Sequence, residues 1–168
     1  MPRKEINILA VNPGTKYLGL AVFQGSDLVY WGIKVLKGKW SREKMRRAEK
    51  ILSDLIDQHD ITMLTVKRLH SSRSSRNLNC LVTSIERLAK KKGVRIRLYA
   101  LSDLQKFLAP NMRVNKLDMA SLVAARYRFL IPHLEGERKH RHPYFLRMFE
   151  AIAAGIIAFD DIHLIKGK

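Results

Sequence analysis

Two apolar runs, Ile6-Asn7-Ile8-Leu9-Ala10-Val11 and Tyr17-Leu18-Gly19-Leu20-Ala21-Val22-Phe23, flank the turn Asn12-Pro13-Gly14-Thr15-Lys16. β-rich segments on either side of a Pro-Gly turn predict a hairpin. Nothing else in the chain constrains the fold as much, because the hairpin commits the first 24 residues to adjacent antiparallel strands. Gly14 stands where φ > 0 is accessible to the turn, and Gly19 where another backbone or a ligand can come close.

A third strand is expected over residues 28–36, with Val29, Trp31, Ile33 and Val35 alternating. Ser41 then suits the N-cap of a helix to about residue 59, whose apolar stripe is Met45, Ala48, Ile51, Leu52, Leu55 and Ile56. Arg42, Lys44, Arg46, Arg47 and Lys50 fall on its opposite, solvated face. Residues 61–67 read as a short buried strand. Ser75 or Asn77 caps a second helix to about residue 92, and Gly93 ends it behind Lys90-Lys91-Lys92. A fifth strand is expected over 94–100, a short helix over 102–108 and another over 117–130. Residues 132–142 read as a polar, basic loop before a last helix over 144–159, whose Ala151, Ala153, Ala154, Gly155 and Ala158 imply close packing. Strands separated by helices must be parallel neighbours joined by crossovers. The order therefore predicts one α/β domain over 1–168. Its five-stranded mixed sheet has three antiparallel strands, then two parallel ones, flanked by helices, the ribonuclease H-like arrangement.

Lysine and arginine number 32 against 15 acidic residues, a net charge of +17. Such an excess favours a polyanionic partner, nucleic acid first. An anionic membrane surface is the weaker candidate, since no long apolar span is present. The one cysteine, Cys80, excludes an internal disulfide and a cysteine-based zinc cluster, and its apolar neighbours predict a buried thiol. The first residues lack a signal-peptide core, so a cytoplasmic protein is expected.

The segment Ala10-Val11-Asn12-Pro13-Gly14-Thr15-Lys16-Tyr17-Leu18-Gly19 resembles the first hairpin of the RuvC family of Holliday-junction resolvases. The Ser/Arg-rich stretch after the fourth strand and the small-residue last helix extend the resemblance over about residues 6–160. It implies phosphodiester hydrolysis by two divalent ions about 4 Å apart, held by carboxylates. The family's acidic positions fall here on Asn12, Lys67 (or its neighbour Arg68), Arg147 and Glu150, so one of the four is a carboxylate. Four new positive charges beside Lys67 and Arg147 would be poorly offset by Glu150 alone. The expected alternative has the Lys67 ammonium near the place of a metal ion, paired with Glu150 and the Asn12 oxygen.

Arginine forks and serine hydroxyls suit phosphate contacts. Arg68, His70, Ser72, Arg73, Ser74 and Arg76 form the first candidate nucleic-acid-binding set, and Arg138, Lys139 and Arg141 the second. His133, His140 and His142 lack the spacing of a metal cage and are expected to be solvated. Trp31 and Trp40 are expected in or near the core, and Tyr144 or Phe145 beside the bound strand. The expected function is binding of branched, junction-type DNA by a protein inert or weak as a nuclease, with no cofactor. The alternatives are an active Mg²⁺- or Mn²⁺-dependent junction endonuclease recruiting Asp118 beside Glu150, and a structured-RNA binder. The resemblance also implies a homodimer pairing through the helix over 77–92, where Thr83, Ser84 and Arg87 would face out.

Overall fold

A computed structural model describes residues 5–68, 75–139 and 144–166. Its strands are β1 (Asn7–Asn12), β2 (Tyr17–Gln24), β3 (Asp27–Val35), β4 (Met63–Lys67) and β5 (Arg95–Tyr99). The sheet order is β3-β2-β1-β4-β5. β1–β2 and β2–β3 pair antiparallel, and β1–β4 and β4–β5 parallel, as the segment order requires. The predicted hairpin closes with Asn12 opposite Gly19. Gly14 does not take the positive φ expected of it; Gly25, Gly38 and Gly93 do.

Among the described residues six α-helices cover the sheet: α1 (Arg42–Gln58), α2 (Arg76–Lys92), α3 (Leu101–Leu108), α4 (Lys116–Arg126), α5 (Ile131–Lys139) and α6 (Leu146–Lys166). α1 and α2 share one core with Leu9, Val11, Leu20, Leu64 and Val66. α6 lies on the other face, against Ile8, Ala10, Ala21 and Phe23, with residues of α3, α4 and α5 in the same core. Alternate strand residues thus feed two separate cores, which is why β1 and β2 read as unbroken apolar runs.

The helix signals act as the sequence suggests. Ser41 accepts from the Lys44 N–H, Ser75 from the Leu78 N–H, and Gly93 closes α2 at φ 68°. Lys44, however, is 3% exposed and donates its ammonium to the Gly38 carbonyl at 2.7 Å, so it leaves the solvated face expected of it. Residues 131–139 form α5 rather than a loop; Pro132 falls in its first turn, where a missing N–H is harmless. The helix expected over 117–130 breaks at Tyr127 into α4 and a 3₁₀ turn, Arg128–Leu130. A bulge shifts β3 so that Val22 faces Tyr30 while Phe23 faces Leu28. Val29 is the extra residue and is exposed, which ends the strict alternation and sends Leu28 into the α6-side core. Trp31 and Trp40 are half-buried. Among the described residues no helix is long and apolar enough to cross a membrane.

The small residues of α6 do what their pattern implies. Ala151, Ala153, Ala154 and Ala158 are buried, and a methyl group on Gly155 would strike the Phe23 ring. The helix is tied at its start by Glu137 of α5. That buried carboxylate accepts the Tyr144 N–H through both oxygens and the Phe145 N–H at 2.7 Å. Negative charge at a helix start also favours the macrodipole. Glu137→Ala is expected to lower stability by about 1–2 kcal/mol, read as an earlier urea midpoint, and Glu137→Gln by less.

Candidate functional site

Asn12 and Lys67 end the parallel neighbours β1 and β4, whose preceding residues Val11 and Val66 are in register. Arg147 and Glu150 lie three apart on the first turns of α6 and so share a face. The helix approaches closely because β2 carries Gly19: a Cβ there would collide with the Arg147 carbonyl. The four positions, drawn from three segments of the sequence, therefore converge.

Glu150 is the centre of the group and is 3% exposed. Its Oε2 accepts from Asn12 Nδ2 at 2.6 Å and lies 2.7 Å from Lys67 Nζ. Its Oε1 lies 3.2 Å from Lys116 Nζ, an ion pair without hydrogen-bond geometry. Lys67 is well shielded, with 15% of its side chain exposed, whereas Lys116 at 35% reaches solvent. No local sequence signal marks Lys116. It sits at the start of α4, where Asn115 and Asp118 form a reciprocal capping box, and no local pattern shows that α4 docks against α6 there. Burying a carboxylate is costly unless charge and hydrogen bonds offset it, and here two donors on Oε2 and the Lys116 ammonium beside Oε1 do so.

The Asn12 amide turns the other way from the one expected. Its nitrogen, not its oxygen, addresses the group: Nδ2 donates to Glu150 Oε2 and to the Arg147 carbonyl at 3.2 Å. Two acceptors on one side determine the amide's orientation. The Arg147 guanidinium lies over the Tyr17 ring, 4.8 Å from its centroid, and Tyr17 meets Tyr144 edge-on at 5.6 Å. Arg147 makes no ion pair among the described residues.

The candidate phosphate contacts divide in two. Arg68, Arg76, Arg138 and Lys139 are described and exposed. Arg68 closes β4 with its N–H on the Tyr99 carbonyl, Arg76 opens α2, and Arg138 touches the Ser121 hydroxyl at 3.3 Å. His70, Ser72, Arg73, Ser74 and Arg141 lie outside the described residues, as do His140 and His142. His133 is half-buried against the Phe145 ring at 5.0 Å, so it is not the solvated group expected. Asp118 is committed to its helix cap, and among the described residues no hydrogen bond joins it to Glu150. Asp161 accepts the Tyr99 hydroxyl at 2.7 Å; burial first, then that bond, pushes the Tyr99 phenol far above its ordinary pKa.

On the opposite face, α1 and α2 border a groove of about 770 Å³ lined by Glu49, Arg76, Cys80, Thr83, Arg87 and Leu88, among others. Cys80 is exposed there, contrary to the buried thiol expected. Ser84 turns inward and bonds the Glu49 carboxylate, so it does not face out with Thr83 and Arg87.

No family model and no curated protein matches the sequence. Solved structures do match. Thermus thermophilus RuvC in complex with a Holliday junction substrate aligns over 92% of this chain and 93% of its own, at 16% identity and a TM-score of 0.70. Thermus thermophilus RuvC alone aligns with a TM-score of 0.69, also at 16% identity, over 92% and 94% of the two chains. Fowlpox virus resolvase with its substrate Holliday junction DNA aligns over 94% and 99%, at 10% identity and a TM-score of 0.59.

This chain has the RuvC-type, ribonuclease H-like fold.

The RuvC-type fold implies a pair of divalent ions, and the donors at the convergence point do not fit one. Hard divalent cations need several carboxylate or carbonyl oxygens turned toward them. Here Glu150 is the carboxylate, and both its oxygens face ammonium or amide donors. Among the described residues no group of three or more His, Cys, Asp or Glu could hold a metal.

Proposed function

We propose that this RuvC-fold protein binds branched or otherwise structured DNA, of the Holliday-junction type, without cleaving it. The observation that carries the reading is the Glu150 carboxylate enclosed by Asn12 Nδ2, Lys67 and Lys116, where a nuclease of this fold would offer acids to metal ions. Binding is supported by the +17 charge and by exposed Arg68, Arg76, Arg138 and Lys139. Arg73, Arg141, His70, Ser72 and Ser74 extend the same two sets in the sequence. Two of the matching structures were solved with Holliday junction DNA. In this reading the chain needs no cofactor and acts as a homodimer, with α2 and its Thr83 and Arg87 at the two-fold axis, so that two equal surfaces meet a two-fold junction.

The test is binding and cleavage on one set of substrates. A four-way junction is expected to bind about tenfold or more tightly than duplex DNA of equal length, with affinity falling steeply as salt rises. No cleavage product is expected with Mg²⁺ or Mn²⁺. Specific cutting that Glu150→Gln abolishes would overturn the inert reading. Preference for structured RNA over the junction would replace the substrate class.

A further inference from the structure

The site that replaces the acids is not electrically neutral. Lys67 and Lys116 bring two cations to the one carboxylate of Glu150, and Arg147, on the same face of α6 as Glu150, adds a third charge whose guanidinium lies over Tyr17 with its buried Nε lacking a hydrogen-bond partner among the described residues, an excess of two positive charges among these four. Glu150 is spent on holding Lys67 and Lys116 in place: its two oxygens take one ammonium each. Arg147 is held by the Tyr17 ring instead, so its charge is positioned without being neutralised. Stacking leaves the edge of a guanidinium able to donate in the ring plane. Asn12 adds no negative charge and turns its donors inward, which keeps the hydrogen-bond polarity of the group on the donating side. A cluster of this kind repels a divalent cation and attracts an oxyanion.

We propose that Lys67, Lys116 and Arg147 form a seat for a single phosphodiester group that works without any divalent ion. The inference rests on the DNA-binding reading for its natural ligand, but the chemistry is that of a phosphate monoanion or dianion and can be read separately. Lys116 is the contacting residue, because it is the most exposed of the two lysines and reaches solvent from the start of α4. Arg147 supplies the planar fork, and Lys67 sets the field from beneath. Binding at this seat neutralises the excess charge that the carboxylate leaves over.

Two measurements test it on the full chain. In the first, four-way junction affinity is compared in EDTA and in Mg²⁺. The wild type is expected to bind equally in both. Lys116→Gln is expected to weaken binding about tenfold in both, and to lower the slope of log affinity against log salt by about 0.9, the loss of one phosphate contact. Lys50→Ala, on the exposed face of α1 across the sheet from α6, removes the same charge and is expected to change neither. In the second, inorganic phosphate is added at constant ionic strength against chloride. It is expected to raise the melting temperature of the wild type and not that of Lys116→Gln or Arg147→Gln, an effect that needs no DNA. Junction binding that EDTA abolishes, or that Lys116→Gln leaves intact while phosphate gives no thermal shift, overturns the seat and leaves the junction reading standing. Absence of junction binding with the phosphate shift present overturns the junction reading and leaves the seat.

Discussion

Glu150→Leu is expected to lower the stability of the fold by about 3–5 kcal/mol, the cost of breaking a buried ion pair by removing one partner. The carboxylate is 3% exposed and is the shared acceptor of Asn12 Nδ2 and Lys67, with Lys116 against its second oxygen. Removing it takes from a shielded ammonium and from an amide N–H the carboxylate that offset their desolvation. Lys116, more exposed, regains water and adds less. The measurement is urea unfolding followed by far-UV circular dichroism. A second variant separates burial from pairing: Glu150→Leu with Lys67→Met and Lys116→Met removes the charges together and is expected to recover most of the loss, because replacing a whole buried ionic group by apolar side chains is often neutral. A single-variant loss below about 1 kcal/mol would mean that the group is effectively solvated and contributes as a surface pair does.

Gly19→Val is expected to cost about 3 kcal/mol, a fall in melting temperature of roughly 6–12 °C for a chain of this size. The reason is backbone against backbone. A Cβ at position 19 meets the Arg147 carbonyl and the Met148 nitrogen, atoms that no rotamer change can move. α6 would have to lift off β2, and with it Arg147 and Glu150 from Asn12. Gly32→Ala in β3 is the internal control. A Cβ at position 32 meets nothing within 4 Å, so that variant is expected to be neutral or slightly stabilising through the unfolded chain. Equal melting temperatures for the two variants would remove the close approach as the reason for glycine at 19.

The parts of the fold that were legible are those with a local physical signal. The Pro-Gly hairpin, the caps Ser41, Ser75 and Gly93, and the small-residue face of α6 each act where the sequence places them. α5 carries no such signal: of its residues, Leu134 and Glu137 are the buried ones, too few for a helical stripe. Lys44 was misplaced because a long amphipathic side chain can fold back to a nearby carbonyl, here Gly38, which periodicity does not register. Val29 was misplaced because a bulge changes the parity of every strand residue before it. At the candidate site the four expected positions do come together. The inward turn of the Asn12 amide and the arrival of Lys116 were hidden for one reason: both depend on contacts between segments far apart in the chain.

The orientation of Asn12 also limits which sequences lie one step away. Asparagine and aspartate have nearly the same shape but opposite hydrogen-bonding character on the atom that matters. At Nδ2 the amide meets two acceptors, the Arg147 carbonyl and Glu150 Oε2. An aspartate there would present an oxygen to both of them, a repulsive arrangement unless a proton or a cation came between. The isosteric exchange is thus the disfavoured one, and an acid at position 12 becomes acceptable only after its surroundings have changed first. The site is held in its present chemistry by the order in which changes can be made, as well as by the stability of the contacts themselves.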